Sequence, residues 1–452
     1  MKTKIFFIIL VFTTFCNAQI VSIPSLNFKT KLLSADTNNT IAKNLNGVFF
    51  KIDSNNNGQI EVSEALEVSY LDIGSSSILN MEGLQYFTNL VNLFCQNNFT
   101  NSAILDVSML TNLQTLSCNG NNLSTLNVNG LTNLLELKCG TNNLSIFNVS
   151  SLSNLKILNC STSGITSLNL TGLSNLEELN CSNSNNLISI DFTGCSNLNK
   201  ILATNCELSA LNLLNLTNLT HLECSQNPFT SLNLNNLSNL NYLKVSGGQL
   251  TNLNLNNCTS LLDLWCNNNA ITTIGLQNCN AINYIDISSN QLSTINLDDC
   301  NQLEELWCQN NQLTTLDLTN CHSLYSLYCF NNLLTSLILK NGIFNSTINF
   351  SGNPNLNFCD DSSDYGWTIG GGEIDFIQNK VNTYGYTNCN VSSYCSFSPN
   401  GLNYSITGNI KFDLNNNGCD LNDIIIPKPI IKIQKNGLTR YFYFINENYN
   451  IQ

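Results

Sequence analysis

The sequence is poor in basic residues and in histidine. Its 452 residues include 17 Lys and Arg against 30 Asp and Glu, which gives a net charge of −13, and its two histidines are His221 and His322. The shortage of positive charge argues against nucleic-acid binding, which needs a basic surface. It also argues against binding to an anionic membrane surface. With so few histidines, His-based catalysis and zinc sites are disfavoured, and we predict that the chain is not an enzyme.

Long apolar runs are also missing, apart from the first twenty residues. The start, MKTKIFFIILVFTTFCNAQI, has two lysines, an apolar run and then small residues. This order is typical of a secretory signal peptide, and we predict that residues 1–18 are removed by cleavage after Ala18. The run is about half as long as a membrane span requires, and Phe15 is too bulky for lipoprotein cleavage before Cys16. We therefore expect an exported protein, secreted or at the cell surface, without a transmembrane segment.

A 21-residue repeat occupies the middle of the chain. Residues 261–281 read LLDLWCNNNAITTIGLQNCNA, and residues 303–323 read LEELWCQNNQLTTLDLTNCHS. The shared template is L-x-x-L-x-C-x-x-N-x-L-x-x-L-x-L, followed by a segment that often contains a second Cys. Its sixth position recurs fourteen times, at Ile73, Cys95, Cys118, Cys139, Cys160, Cys181, Ala203, Cys224, Val245, Cys266, Ile287, Cys308, Cys329 and Phe350.

Each repeat is predicted to form one coil of a solenoid, because its apolar residues cannot be buried alone and stacked coils share a core. The alternating segment L-x-x-L-x-C predicts a short strand, and stacked coils then build a parallel sheet. Three residues after the sixth position stands a polar residue whose amide we expect to bond the backbone of neighbouring coils. These ladder asparagines are Asn98, Asn121, Asn142, Asn227, Asn269, Asn290, Asn311, Asn332 and Asn353.

The template resembles the leucine-rich repeat, L-x-x-L-x-L-x-x-N/C-x-L, in the short 21-residue bacterial subclass. The resemblance covers residues 66–358 and implies a leucine-rich-repeat solenoid of about 14 coils. Its parallel sheet would line the concave face, and short or irregular segments the convex face. For function, the resemblance implies a protein-interaction or adhesion scaffold.

Residues 19–65 are predicted to form a helical N-terminal cap over the first coil, whose core would otherwise face water. Pro24 suits a helix start, and an apolar stripe begins at Phe28. A second helical pattern spans residues 41–50. The arrangement resembles the capped ectodomains of internalin-like bacterial surface proteins.

The stretch 53–64, DSNNNGQIEVSE, has the spacing of an EF-hand calcium loop. Gly58 stands at the sharp turn, Ile60 at the apolar eighth position and Glu64 at the bidentate twelfth position. The stretch lies outside the repeat frame, so the Asn-rich coils do not account for it. We predict a calcium site that stabilises the cap, with the ligands Asp53, Asn55, Asn57, Gln59, Glu61 and Glu64.

Most of the 20 cysteines occupy core positions of the repeat, where other coils have Leu, Ile, Val or Ala. We predict that they are small buried hydrophobic residues rather than cross-links, since side chains in register on parallel strands fit disulfide geometry poorly. Beyond the repeats, Cys359 and Cys389 are disulfide candidates.

The third and fifth positions of each coil are predicted to point outward from the sheet. In the C-terminal half they form the set that we call the aromatic–acidic face: Tyr242, Asp263, Trp265, Tyr284, Asp286, Glu305, Trp307 and Tyr328. Trp and Tyr are enriched at binding hot spots, so we predict a partner site here, for a glycan or a protein with a basic patch. The alternative is that the aromatics merely cover neighbouring strands.

The remaining residues are predicted to form a C-terminal cap and linker (359–400) and the start of a β-sandwich module (401–452). The module resembles those of bacterial adhesins, but about half of a sandwich is missing, so it is incomplete or the chain is a fragment. An oxygen-rich turn offers a second cation site or a simple polar turn. Its candidate ligands are Asp413, Asn415, Asn417, Asp420 and Asp423.

These features together predict a monomeric surface binding or adhesion protein with a calcium-stabilised cap. The alternative is a structural spacer that holds another domain away from the cell and has no ligand of its own.

Overall fold

A computed structural model describes residues 19–98, 103–235, 237–339, 341, 347–356, 358–360, 373–386 and 389–392, and short strands between residues 406 and 451. The predicted signal peptide, residues 1–18, lies outside the described residues. The chain divides into two compact units, residues 1–195 and 196–452. In both, the coils have the leucine-rich-repeat fold, with an apolar core between the strands and the irregular segments opposite them.

The first unit contains the N-terminal cap and six repeat strands. Its helices are Leu26–Leu33 and Val62–Ala65, with a 3-10 turn at Leu84–Tyr86. Its main sheet contains Ala42–Asn44, Val68–Asp72, Asn92–Phe94, Thr115–Ser117, Glu136–Lys138, Ile157–Asn159 and Glu178–Asn180. Two parallel pairs accompany it, Ala103–Asp106 with Leu123–Asn127 and Ser167–Asn169 with Ser189–Asp191.

The second unit contains eight repeat strands, all parallel. They are Lys200–Leu202, His221–Glu223, Tyr242–Lys244, Asp263–Trp265, Tyr284–Asp286, Glu305–Trp307, Ser326–Tyr328 and Thr347–Asn349. Further parallel strands are the pair Asn252–Asn254 and Thr273–Gly275 and the group Thr315–Asp317, Ser336–Ile338, Phe358–Asp360 and Asn390–Ser392. A helix, Glu373–Thr383, follows the repeats.

The C-terminal region of the second unit has antiparallel strands. The pairs are Ile406–Asn409 with Asn448–Ile451, Lys411–Phe412 with Ile424–Ile425, and Ile430–Lys435 with Leu438–Tyr443.

All fourteen sixth positions directly follow a strand, as the template predicts. In a representative coil, Leu264 and Cys266 are fully buried, whereas Asp263 and Trp265 on either side of Leu264 are half-exposed. This alternation is the period of two that a strand imposes. The repeat cysteines are buried among Leu and Ile, in agreement with their predicted role as small hydrophobic residues.

The asparagine ladder joins successive coils. The Asn290 amide donates to the carbonyl of Cys266, one coil back, at 3.1 Å and to that of Ile287 in its own coil at 3.0 Å. Its Oδ1 accepts from the backbone N–H of Ile271 at 3.0 Å. The same set of bonds recurs at the other ladder asparagines, for example at Asn332. The prediction that these amides satisfy backbone groups of neighbouring coils is confirmed.

The N-terminal cap agrees with the prediction at one of its two expected helices. Leu26–Leu33 is helical, with Phe28 and Leu32 fully buried, and it begins after Ser25, whose hydroxyl accepts from the Phe28 N–H at 3.3 Å. The helix predicted over residues 41–50 is wrong. Ala42–Asn44 is instead a strand that pairs antiparallel with Val68–Asp72.

The last ladder asparagine is capped by a tyrosine. In inner coils such as that of Asn121, the ladder residue's own N–H donates to the Asn of the next coil. Asn353 donates instead to the hydroxyl of Tyr386 at 2.9 Å, and that hydroxyl donates to the Phe350 carbonyl at 2.8 Å. Tyr386 thus occupies the position of the next coil's amide.

Candidate functional site

The strand register sets the pattern of the aromatic–acidic face. In the third-position row, Asp263 aligns with Tyr284 and Tyr284 with Glu305. In the fifth-position row, Asp286 lies between the two tryptophans. The neighbours in that row are Trp265, Asp286, Trp307 and Tyr328, one from each successive coil. Aromatic and acidic residues therefore alternate from Trp265 to Trp307, where Tyr328 follows directly, and each ring has a carboxylate in a neighbouring coil.

The aromatic rings form a continuous row across four coils. The ring centroids of Trp265 and Tyr284 are 4.3 Å apart, in a stacked arrangement. Tyr284 lies 6.4 Å from Trp307, and Trp307 lies 5.0 Å from Tyr328. The sequence indicated that the two indoles occupy one row, and the structure adds that Tyr284 contacts both of them. These rings cover one another, and they also remain half-exposed.

Asp286 is the most buried residue of this face, with 5% of its surface exposed. Its Oδ1 accepts from the Ser288 N–H at 3.0 Å and from the Ser288 hydroxyl at 2.6 Å. Burial raises the pKa of the Asp286 carboxyl, and the Ser288 hydrogen bonds oppose that rise. Burial also raises the pKa of Asp263. Neither carboxylate forms an ion pair with Lys or Arg in the described part of the chain.

Sequence reasoning missed several contacts around these residues. Glu305 accepts from the Tyr325 hydroxyl at 2.9 Å and from Trp307 Nε1 at 3.4 Å. The Lys244 ammonium lies 5.6 Å from the centre of the Trp265 ring, within cation–π range. Tyr325 lies outside the third and fifth positions, so the repeat pattern carried no signal for it.

His221 is held by two neighbours on the same strand face. Its Nε2 lies 3.0 Å from Glu223 Oε1, and its ring stacks on Tyr242 with centroids 4.3 Å apart and planes 2° apart. The pair extends the row of rings and acids by two more coils.

A second aromatic cluster lies in the first unit. Tyr70 lies 5.4 Å from Phe94 and 6.4 Å from Phe49, and the Lys43 ammonium lies 5.0 Å from the Tyr70 ring and 4.8 Å from the Phe49 ring. Tyr70 and Phe94 occupy third and fifth positions of the first two coils. The rule that found the aromatic–acidic face would have found them as well.

The loop 53–64 is compact and held by its own side chains. Asp53 accepts from the backbone N–H groups of Asn57 at 3.0 Å and Gly58 at 3.1 Å. Glu64 accepts from the backbone N–H groups of Ser54 at 2.8 Å and Glu61 at 3.1 Å. Gly58 has a φ of +75°, which favours glycine at this turn.

Residues 19–21 pair with the second half of this loop. The Val21 N–H donates to the Ile60 carbonyl, and the Val62 N–H to the Gln19 carbonyl, both at 2.8 Å. The helix after the loop, Val62–Ala65, is short, and the segment before the loop contains the strand Ala42–Asn44 rather than a helix. The structure thus has the turn of an EF-hand loop without the helix that normally precedes it.

The six predicted calcium ligands lie together in this loop, and three are buried carboxylates: Asp53, Glu61 and Glu64 are 5%, 4% and 7% exposed. The Asn57 and Asn55 amides donate to Glu61 at 2.6 and 3.2 Å. A hydrogen bond with Glu64, followed by that from Asn57, lowers the pKa of Glu61.

The described residues contain no cluster of three or more His, Cys, Asp or Glu side chains arranged to hold a metal ion. In the loop 53–64 the carboxylate oxygens accept bonds from the loop itself. Gln59 faces another partner, since Lys29 Nζ donates to its Oε1 at 2.7 Å.

Two further predicted sites remain predictions. The five candidate ligands of the second cation site, residues 413–423, lie outside the described residues. Cys359 lies in the strand Phe358–Asp360, which pairs in parallel with Asn390–Ser392, and it aligns with Val391. Cys389 directly precedes the second of these strands. The Cys359 side chain lies outside the described part.

The repeat register, the buried Leu/Cys core and the asparagine ladder define a leucine-rich-repeat fold. No protein-family model and no curated protein matches the sequence. Among solved structures, the functional domain of InlJ from Listeria monocytogenes, which includes a cysteine ladder, has a TM-score of 0.53 at 22% identity, over 95% of this chain and 93% of that one.

Two other solved structures have the same fold. An internalin, InlF, from Listeria monocytogenes has a TM-score of 0.50 at 21% identity, over 77% of this chain and 92% of that one. Toll from Drosophila, in its complex with Spätzle, has a TM-score of 0.51 at 18% identity, over 67% of this chain and 45% of that one. Within the described residues, no helix is long and apolar enough to cross a membrane.

Proposed function

We propose that this chain is an exported binding protein, secreted or displayed at the cell surface, and that its aromatic–acidic face engages a protein partner. The observation that carries the proposal is the row of half-exposed rings at Trp265, Tyr284, Trp307 and Tyr328, set among carboxylates. Large aromatic side chains are the residues that dominate binding energy at protein interfaces. Toll, which shares the fold, forms a complex with the protein Spätzle.

A structural spacer would need none of these residues on its surface. Ser, Thr or Asn at the same positions would keep the strands soluble, as Asn159 and Asn180 do in the first unit. The aromatics partly cover one another, so strand coverage accounts for some of their burial, but not for the portion that stays exposed. A protein partner and a glycan both suit aromatic and acidic groups, and the alternation of acids with rings, with Asp286 nearly buried, favours a partner that carries positive charge.

The test is to probe protein and glycan arrays with the full chain and with the Trp265→Ala/Trp307→Ala variant. A control variant, Leu214→Ala, truncates an exposed apolar residue away from these strands. We expect protein spots that bind the wild type and the control, and that lose most of their signal with the double variant. Equal binding of the wild type, the double variant and the control would contradict the proposal. Binding to glycan spots alone would show that the partner is a glycan and not a protein.

We further propose that calcium binds the loop 53–64 and stabilises the N-terminal cap, without a signalling role. Three buried carboxylates lie in this loop, and none forms an ion pair with Lys or Arg in the described part of the chain. Buried charges are costly unless they are paired or coordinate a metal. A bound cation would replace the amide contacts that now reach Glu61.

Thermal melting in calcium and in EDTA tests this proposal. A ligand that binds only the folded state stabilises it by about 2.7 kcal/mol at one hundred times its dissociation constant, so chelation should lower the melting temperature. In the Glu64→Gln variant the difference between calcium and EDTA should disappear. In Glu82→Gln, which changes an exposed residue, it should remain. The same melting temperature in calcium and EDTA for the wild type would count decisively against the site.

A further inference from the structure

We propose that the aromatic–acidic face recognises an arginine side chain of its partner, with the guanidinium paired with Asp286 and stacked beside the indoles of Trp265 and Trp307. This inference rests on the proposed function, because it names the chemistry of the protein partner at the same site. The fifth-position row puts the three residues on successive strands.

The charge at Asp286 needs a counter-charge that the described residues do not supply. Its Oδ1 holds both hydrogen bonds from Ser288. Its Oδ2 makes no hydrogen bond within the described part of the chain. This oxygen is not sealed from solvent. A nearly buried carboxylate is costly unless it is paired, so a cation that reaches Oδ2 is favoured.

Neighbouring acids add to the same field. Asp263 and Glu305 flank Tyr284 in the third-position row, on the strands of the two indoles. Glu305 holds its place through the Tyr325 hydroxyl and Trp307 Nε1. Lys244 is aligned with Trp265 on the neighbouring strand, and its ammonium lies over the Trp265 ring.

The rings themselves suit a cation. Trp is the best cation–π partner among the side chains, at distances within about 6 Å of the ring. The protein makes this contact with its own lysines, for example Lys244 over Trp265 at 5.6 Å and Lys43 between Phe49 and Tyr70 at 4.8 and 5.0 Å. An ammonium or guanidinium from a partner would make the same contact at Trp307.

Arginine fits this row better than lysine. Adjacent strands are about 4.8 Å apart, so the indoles that flank Asp286 begin about 10 Å apart. The Tyr284 ring stands between them, 4.3 Å from Trp265 and 6.4 Å from Trp307, so a planar cation would stack on the half-exposed surface of these rings. A guanidinium stacks on aromatic faces and carries five N–H donors.

The experiment uses the full chain with Trp367→Phe, so that fluorescence reports Trp265 and Trp307. The titrants are the blocked peptide Gly-Gly-Arg-Gly-Gly and its lysine and citrulline analogues. In the same background, Asp286→Asn removes the charge but keeps an oxygen for Ser288. The matched control Asp317→Asn makes the same charge change on an exposed residue in another sheet.

We expect the arginine peptide to change the fluorescence and to bind at least tenfold more tightly than the citrulline peptide. Asp286→Asn should weaken it by at least tenfold, and Asp317→Asn by less than twofold. Equal affinity for arginine and citrulline, or no effect of Asp286→Asn, would overturn the proposal. A loss of the same size in both Asp variants would assign the binding to net charge, and equal affinity for lysine would overturn the choice of guanidinium.

The outcome also separates this inference from the proposed function. A protein spot that depends on Trp265 and Trp307 but not on Asp286 leaves the proposed function standing and overturns the arginine contact. A protein spot whose binding depends on none of Trp265, Trp307 and Asp286 contradicts both the proposed function and the arginine contact.

Discussion

Replacement of Asn290 by alanine tests how the asparagine ladder stabilises the coils. This side chain is 8% exposed and makes four bonds to the backbone. Its amide donates to the carbonyls of Cys266, Ile287 and Ser288 at 3.1, 3.0 and 3.2 Å, and its Oδ1 accepts from the Ile271 N–H at 3.0 Å. The loss of each bond costs a different amount of stability, because some of these backbone groups keep another hydrogen-bond partner and one does not.

Each of the three carbonyls keeps a second donor in the variant. The Cys266 carbonyl still accepts from Asn269, the Ile287 carbonyl from Asn311, and the Ser288 carbonyl from the Asn268 N–H. The Ile271 N–H has no other acceptor among the described residues. A buried group left without a partner costs about 1–3 kcal/mol, so we expect Asn290→Ala to lower the free energy of unfolding by about 3 kcal/mol once the weakened carbonyl bonds are included.

Urea unfolding followed by circular dichroism measures this change. Asn252→Ala is the control, since that exposed amide makes a single contact, at 3.5 Å, to the Thr251 hydroxyl. The unfolding midpoint of Asn290→Ser should fall between those of the two alanine variants. Ser163 and Ser184 occupy the ladder position in other coils, where their hydroxyls bond each other at 3.1 Å. Equal unfolding midpoints for Asn290→Ala and Asn252→Ala would refute the argument that the ladder carries stability.

Three further predictions follow from the described contacts. Tyr386→Phe removes the hydroxyl that bonds Asn353 and Phe350, and it should lower the free energy of unfolding by about 1–3 kcal/mol; an unchanged melting temperature would contradict the capping role. Burial raises the pKa of Asp286 above its value in the unfolded chain, so the native state binds its proton more tightly and stability should fall as pH rises through that raised pKa. Asp286→Asn should flatten this dependence in denaturation curves measured at several pH values, and an unchanged slope would contradict it. Burial raises the pKa of the Cys266 thiol, so this thiol should resist iodoacetamide in the native protein and react with it in urea. Peptide mass spectrometry measures the labelling, and rapid labelling of the native protein would contradict the burial of Cys266 in the core.

The coils could be predicted from the sequence because every coil repeats the same environment. An apolar residue at the fourth and sixth positions recurs with the period of a strand, and fourteen repetitions leave little freedom in the register. The ladder role of the second Asn of each Asn-Asn pair could also be predicted, since its spacing from the strand is fixed. The first Asn was not explained. It stands two residues after the sixth position, where the backbone is left-handed, as at Asn97, Asn268 and Asn310 with φ of 58°, 55° and 58°. Asn tolerates this conformation better than most residues.

The second helix of the cap was predicted wrongly because the pairing of residues 41–50 is non-local. Residues 41–50 have a helical pattern of apolar residues, but the Asn44 N–H donates to the Val48 carbonyl at 2.9 Å across a turn that contains Gly47. The strand Ala42–Asn44 then pairs with Val68–Asp72, more than twenty residues later. Local periodicity cannot reveal such a partner.

For the candidate site, the sequence identified the residues of the face but not their contacts. Repeat positions predict which side chains share a row, and the row of Trp265, Asp286 and Trp307 follows from the register. The burial of Asp286 depends on side-chain conformations, which residue spacing does not determine. The Tyr325 hydrogen bond to Glu305 likewise crosses between coils outside the repeat frame.

The central claim is that the aromatic–acidic face binds a protein, and hydroxyl-radical footprinting of the full chain tests it most directly. The oxidation of Trp265, Trp307 and Tyr328 would be measured with and without a protein recovered from the array. The account predicts strong protection of these three rings and unchanged oxidation of the exposed residues Leu214 and Leu333, which lie outside the repeat strands. Unprotected rings in a saturated complex would contradict it.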